Sequence, residues 1–220
     1  MVSTGQGVLS HNMYLYSNNN PINMRDSSGM IAIADIGIQS TYNAVKMAQN
    51  IAKVGTAALT QNKLVKIGFK DASLNSAIKL ANTLESNNII TTEQISAFLA
   101  QCAYETNYGL WLTEIGSESY FENTAYGYKY RGAGYIQITW DYNYKDFANA
   151  MGDIEIYNQG ANYVAANYAW EVAGWFWSKN DINSALINGG FDATSRKINY
   201  YDTASFAKRR NYYNSILNSW

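Results

Sequence analysis

The chain has 220 residues, 47% of them hydrophobic, and a formal net charge of −1. That is enough for one sizeable domain with a buried core plus an extension. The near-neutral balance gives no reason to expect nucleic acid, which needs a basic face, and argues against an electrostatic membrane anchor.

Cysteine and histidine narrow the chemistry further. Cys102 is the only cysteine, so no internal disulfide can form, and its apolar helical neighbours read it as a small buried hydrophobe. His11 is the only histidine and lies far in sequence from the acidic segment described below. Ser-His, Cys-His and His-rich zinc chemistry are therefore set aside, and no cofactor or metal is expected. Carboxylates remain as the chemistry-bearing groups. The 19 tyrosines, 6 tryptophans and 7 phenylalanines serve packing for the most part, and flat aromatic faces also suit the apolar faces of sugar rings.

Residues 1–30 are rich in Asn, Ser, Gly and Tyr, hold the one proline, Pro21, and read as turns and short strands. The start, MVSTGQGVLS, lacks a basic segment followed by an apolar one, so no signal peptide is expected. Action outside a cell would then need another export route or a larger parent chain. Residues 31–63 are rich in Ala, Ile and Val, and Tyr42–Leu59 has a helical pattern dominated by small residues. This reads as a partly helical linker. A membrane-active helix is the less favoured alternative because the segment carries little charge. The apolar runs Met30–Ile38 and Val54–Leu59 are too short to span a bilayer, so no stable membrane insertion is expected.

Residues 64–220 read as one mainly helical domain. Asp71 or Ser73 caps a helix running to about Glu85. Thr91 and Gln94 have capping-box spacing for the next helix, which carries Ile95, Phe98, Leu99 and Cys102 on its buried stripe. Three residues further on, Glu105 falls near the direction of Phe98. Two alternatives stay open for it: a partly desolvated carboxyl with a raised pKa, suited to proton donation, or a helix-end Glu pointing into water. The region 113–138, with Gly116, Gly127, Gly132 and Gly134, reads as loops and short strands. Helices are expected at Tyr144–Met151, Asn162–Ser178 and Thr203–Asn218, with shorter ones at Ile182–Ile187 and Ala193–Ile198 separated by Gly189-Gly190. No repeat and no βαβ rhythm is present. The expected fold class is mainly α, a lysozyme-like α+β domain whose small strand-and-loop insert carries the acids, behind an irregular N-terminal extension.

The order of features from Glu105 and Glu114 through a glycine-rich turn to YIQITWDYNY suits an enzyme that grips a sugar chain and cuts it. Four collinear segments resemble glycoside hydrolase family 19, the group of plant-type chitinases and many phage endolysins. FLAQCAYET is similar to that family's helix ending in His-Glu-Thr or His-Glu-Ser. YRGAGYIQITWDYNY resembles its Tyr-Arg-Gly-Arg-Gly-x-Ile-Gln-Ile-(Thr/Ser) strip ending in Asn-Tyr. AWEVAGWFW resembles its helix before the active-site floor, and FDATSRKIN with AKRRNYY its C-terminal helix pair. The resemblance implies an inverting hydrolase in which Glu105 is the general acid and Glu114, nine residues on, activates a water. Glu118 and Glu122 are the alternatives to Glu114. Thr139 matches the hydroxyl residue that helps position this water. Gln137, Tyr142, Asn143 and Asn199 match groups that line the sugar cleft, and Arg209 matches a cation near the acid. The chain departs from the family at Tyr104 (usually His), Ala133 (usually Arg) and Tyr200-Tyr201 (usually Gly-Gly).

A second resemblance covers residues 9–30, LSHNMYLYSNNNPINMRDSSGM, which is similar to the closing segment of the Rhs-repeat core and departs from it at Ser27, where that family has Pro. It implies that the chain is the C-terminal payload of a larger polymorphic toxin, secreted or delivered to a target cell envelope. On this reading the expected substrate is the β-1,4-linked glycan of peptidoglycan, with chitin as the alternative, and an immunity protein is a further expected partner. A wall-binding module without catalysis is the rival from another class.

Overall fold

The computed structural model describes residues 30–220; residues 1–29, with His11 and nearly all of the Rhs-like stretch, lie outside the described residues. The chain divides into two units between Gly55 and Thr56, inside the long first helix α1, Met30–Ile67. In the first unit Tyr42, Val45 and Met47 are exposed. Among the described residues no helix is long and apolar enough to cross a membrane.

The second unit opens with the last turns of α1, which extend past the expected limit at Leu59. Ala57, Thr60 and Leu64 are buried there at i, i+3 and i+7, the spacing of one helix face. Gly68 ends the helix with φ +100°, a conformation that costs glycine nothing. α2, Leu74–Ser86, begins at Ser73, whose hydroxyl accepts from the Ser76 N–H. Of the two caps expected, Ser73 is the one used, and Asp71 instead accepts from the Ser73 N–H.

α3, Thr92–Thr106, starts with the expected capping box: Thr91 Oγ1 accepts from the Gln94 N–H and Gln94 Oε1 accepts from the Thr91 N–H. Its residues from Ala97 to Ala103 are buried without a break, so the helix is enclosed rather than one-sided. Ile95, expected on the stripe, is only partly buried. Phe98 lies against Trp177 and Trp170 of α8, Ala169–Lys179, with ring centroids 5.4 and 6.3 Å apart. Truncating Phe98 to alanine would cost about 3–5 kcal/mol, the range for an aromatic in a packed core. Asn107 and Tyr108, both at positive φ, turn the chain out of α3 towards the loops.

Short helices α4 (Glu118–Glu122), α6 (Glu155–Gln159) and α7 (Ala161–Asn167) flank α5, Asp141–Met151. Two helix expectations need correction. α5 begins at Asp141, three residues before the expected Tyr144, because Trp140 with φ +80° turns the chain into it. The helix expected over Asn162–Ser178 is broken into α7 and α8 at Tyr168, φ −133°. The break lets the Tyr168 hydroxyl donate to Asp153, which also receives Tyr163, while Trp170 enters the core and donates its indole N–H to Ser76. Periodicity cannot register such a break, since the apolar pattern runs straight through it.

α9, Ile182–Ile198, is two helical stretches joined across a kink at Gly190, whose φ of +70° and ψ of −172° are not helical, as the expected pair on either side of Gly189-Gly190 requires. A 3₁₀ turn, Thr203–Ser205, leads into α10, Phe206–Leu217, which packs along α3. The strands expected over 113–138 reduce, among the described residues, to isolated bridges between Thr113 and Ala133 and between Ala133 and Ile138. The domain is therefore mainly helical, with a loop region laid across the C-terminal end of α3.

Candidate active site

The loop region is anchored from below. Tyr135 stacks on Trp170 with centroids 3.5 Å apart, and the Tyr135 N–H donates to the Ala169 carbonyl. Gly134, φ +72°, brings the loop onto α8 so closely that a Cβ would stand 2.3 Å from Val172 Cγ1. Ala133 is fully buried in the double bridge, which is why a small side chain stands where the resemblance has an arginine.

Between this loop region and the helices lies a cavity of about 510 Å³. Glu105 and Glu114 both line it, together with Gln137, Thr139, Asn143 and Asn199. Six of the eight residues singled out from the sequence thus converge on one space. Of the others, Arg209 sits behind the cavity wall, and Tyr142 is exposed outside the lining with its ring parallel to that of Trp140. Glu118 and Glu122, the alternatives to Glu114, are exposed on α4 and do not line the cavity.

Glu105 occupies the penultimate position of α3. Its side chain is 18% exposed, and Oε1 accepts from Arg209 Nη2 at 2.6 Å. Burial pushes its carboxyl above the ordinary carboxylate range; the Arg209 charge and hydrogen bond oppose this, and Asp202 adds to it. Arg209 is 1% exposed and each of its three nitrogens donates: Nε to Ser205 Oγ, Nη1 to Gln101 Oε1 and Nη2 to Glu105. Asp202 stands 3.8 Å from Nη2. The Tyr104 ring lies 4.0 Å under the guanidinium carbon, so the residue that departs from the family's histidine forms an aromatic floor for this arginine.

Glu114 is held differently. Its N–H donates to the Gly132 carbonyl, which continues the bridge at Thr113. Oε1 accepts from the Tyr126 hydroxyl at 3.0 Å and Oε2 from the Gly132 N–H at 3.1 Å. Burial, with the bond to Glu114, pushes the Tyr126 phenol up to about 12, so it remains a donor at neutral pH. A side chain at Gly132 would place its Cβ 2.8 Å from Gln137 Oε1 and 3.3 Å from Glu114 Cβ, so this glycine keeps the two together.

Gln137, φ +55°, donates from Nε2 to the Gly134 carbonyl. Thr139 donates from Oγ1 to the Gln137 carbonyl at 3.2 Å, and Asn143 Nδ2 donates to the Thr139 carbonyl. Each of these cavity residues is thus tied to backbone, Gln137 and Thr139 on the loop region and Asn143 in the first turn of α5. Sequence reasoning missed Tyr126, Trp140, Gln101 and Asp202. Trp140 lines the cavity and meets the Tyr126 ring edge-on at 5.3 Å. Its position at the end of the YIQIT strip was a usable signal. Nothing in the local sequence marks Tyr126 among 19 tyrosines. Among the described residues no group of three His, Cys, Asp or Glu could hold a metal ion.

A lysozyme-like, mainly helical fold with two glutamates on one cavity defines the class, and the fold is that of the family 19 chitinases. The class IV family 19 chitinase of Zea mays superposes with a TM-score of 0.52 at 25% identity, covering 64% of this chain and 78% of that one. A bacterial family 19 chitinase superposes with a TM-score of 0.56 at 20% identity, covering 72% and 92%. In sequence, endochitinase B of Zea mays is 35% identical over 113 residues, 48% of this chain and 40% of its own length. Chitinase 6 of Oryza sativa subsp. japonica is 31% identical over 115 residues, 48% of this chain and 42% of its own. The chain thus spans less than half the length of these two curated relatives. No family model matches it.

Proposed function

We propose that residues 64–220 form a glycoside hydrolase that cuts β-1,4 bonds of an amino-sugar polymer with inversion at the anomeric carbon. The observation that carries this is the pair Glu105 and Glu114 on the lining of one cavity, each restrained by its own donors. Glu105 is the general acid. Burial favours its protonated form, so it can hand a proton to the glycosidic oxygen. Glu114, as a carboxylate, takes a proton from a water that attacks the opposite face of the sugar. Inversion requires a gap of about 6.5–9.5 Å between the two carboxyl groups, wide enough for that water. Thr139 helps hold the water. Gln137, Asn143 and Asn199 take hydroxyl and amide groups of the sugars, with Tyr142 at the rim, and Arg209 keeps the acid in register.

The polymer we favour is peptidoglycan. The support is the Rhs-like stretch over residues 9–30, which makes the domain the antibacterial payload of a larger toxin, delivered to a competitor's envelope and met there by an immunity protein that fills the cleft. Chitin is the second reading, favoured by relatives that carry chitinase names.

Purified peptidoglycan and colloidal chitin, each incubated with the wild-type chain and with Glu105→Gln, separate these readings. Clearing of peptidoglycan by wild type alone is the expected result, and mass spectrometry of the fragments identifies which sugar carries the new reducing end. Release of soluble sugar from chitin only would move the substrate to the second reading. Pelleting of both proteins with the wall and no cleavage of either polymer would leave a binding module and end the proposal.

A further inference from the structure

Gln101 lies one turn before Glu105 on α3, is fully buried, and does not touch the cavity. All three of its hydrogen bonds go to side chains. Nε2 donates to Thr194 Oγ1 at 2.9 Å and to Ser195 Oγ at 2.8 Å, and Oε1 accepts from Arg209 Nη1 at 2.7 Å. The orientation of this amide is dictated. A guanidinium offers only donors, so the oxygen must face Arg209. Thr194 spends its own hydrogen on the Phe191 carbonyl, so it can only accept from Gln101. The two hydroxyls reach the amide from the half of α9 that follows the kink at Gly190.

We propose that Gln101 is a positioning residue: its carboxamide, locked by Thr194 and Ser195, holds the Arg209 guanidinium where it binds Glu105, and so sets the pH at which that acid releases its proton. This deepens the reading of Glu105 as general acid and rests on it. The physical reason is that Arg209 works against burial by favouring the ionised carboxyl. That attraction depends on a fixed 2.6 Å contact, and a long arginine side chain is fixed only by its remaining bonds. Ser205 holds Nε, Tyr104 supports the flat face, and among the described residues Gln101 alone holds Nη1. The other charged or titratable groups around Glu105 are Asp202 beside Arg209, Tyr104 and Cys102 on its own helix, Lys208 against the Tyr104 ring, and Glu114 on the same cavity.

Gln101→Met keeps the length and volume and deletes both ends of the amide. Ser195→Ala removes one lock and touches neither Arg209 nor the cavity. With Arg209 less restrained, Glu105 should hold its proton to higher pH. The expected result is an upward shift of about half a unit in the alkaline limb of the pH–rate profile for Gln101→Met, the size one hydrogen bond supports. A smaller shift in the same direction is expected for Ser195→Ala, with KM held in both.

The same midpoint is read without turnover by carboxyl-carbon NMR titration of the full chain, the Glu105 signal being assigned from its loss in Glu105→Gln. Agreement of the two variants in direction supports the inference. A lowered melting temperature with the NMR midpoint unmoved in both overturns it and leaves Gln101 a structural residue. If Gln101→Met does not fold, Ser195→Ala decides alone by the same midpoint. Absence of glycan cleavage by the wild type would fail the proposed function, while the NMR midpoint would still decide the role of Gln101.

Discussion

The two carboxyl groups of the cavity are supported by opposite means. Glu105 stands on a buried helix and is backed by a buried cation, Arg209 of α10, whose bonds reach α3 and the 3₁₀ turn before α10, with Gln101 linking that cation to α9. Glu114 stands on a loop and is held by one phenol and one backbone N–H. A proton donor needs an environment that disfavours its charge, which takes burial and therefore the core. A base acting on water needs access and orientation, which a loop pinned by two donors supplies. The difference teaches that removing the support of Glu105 should change stability and pH response, whereas removing a side-chain donor to Glu114 should change chiefly the rate.

The sharpest test of that contrast removes each carboxyl in turn. Glu105→Gln and Glu114→Gln should each lower the rate of glycan cleavage by about 10²–10⁴-fold, the contribution of a positioned acid or base, with the circular dichroism spectrum unchanged. A smaller loss for Glu114→Gln than for Glu118→Gln or Glu122→Gln would move the base to α4. Next in size, Arg209→Met should destabilise the domain by about 3 kcal/mol in denaturant melts, the lower end for a broken buried pair, because Glu105 borders the cavity and can take up a proton. An unchanged midpoint would mean the pair contributes nothing to the fold.

Gly134→Ala should cost at least about 1–2 kcal/mol from the left-handed backbone alone, before the contact with Val172 is counted. The loop side would then loosen, and rate should fall with stability. Tyr126→Phe removes one of the two donors to Glu114 and should slow cleavage about tenfold with little change in melting temperature, the lower end for a hydrogen bond to a charged group. An equal loss of stability would show that the loop side is built like the helix side.

The smallest expected effect is a pH dependence. The Glu105 carboxyl is raised from its ordinary 4.5, so its contribution is fully present below that value and is lost as pH rises through the higher folded-state value. The stability of wild type relative to Glu105→Gln should therefore decline between weakly acidic and neutral pH. A difference that grew with pH would reverse the sign and mean that Arg209 outweighs burial.

Much of this was legible in the sequence because it depends on local pattern. Thr91 and Gln94 announced the start of α3, the spacing from Phe98 through Cys102 brought Glu105 to its apolar side, and the glycines of 113–138 marked a region without regular structure. The mainly helical class followed from these patterns, whereas Gln137, Thr139, Asn143 and Asn199 came only through the family 19 resemblance and line the cavity with the two glutamates. The break at Tyr168 was not legible, since it depends on an Asp153 that the apolar period ignores. The choice between the two environments open to Glu105 was not legible either, because its partner lies 104 positions away.

Sequence alone determined the mainly helical character, the capping box that starts α3 and which short segments carry acids and amides, since propensity, capping and periodicity act over a few residues. Tertiary structure alone decided that Glu105 is buried against Arg209, that Gln101 and Tyr104 hold that arginine, and that Glu114 rather than Glu118 or Glu122 borders the same cavity. The reason is physical: desolvation and pairing of a charge depend on what the fold brings to it in space, and no local window of the chain contains that information.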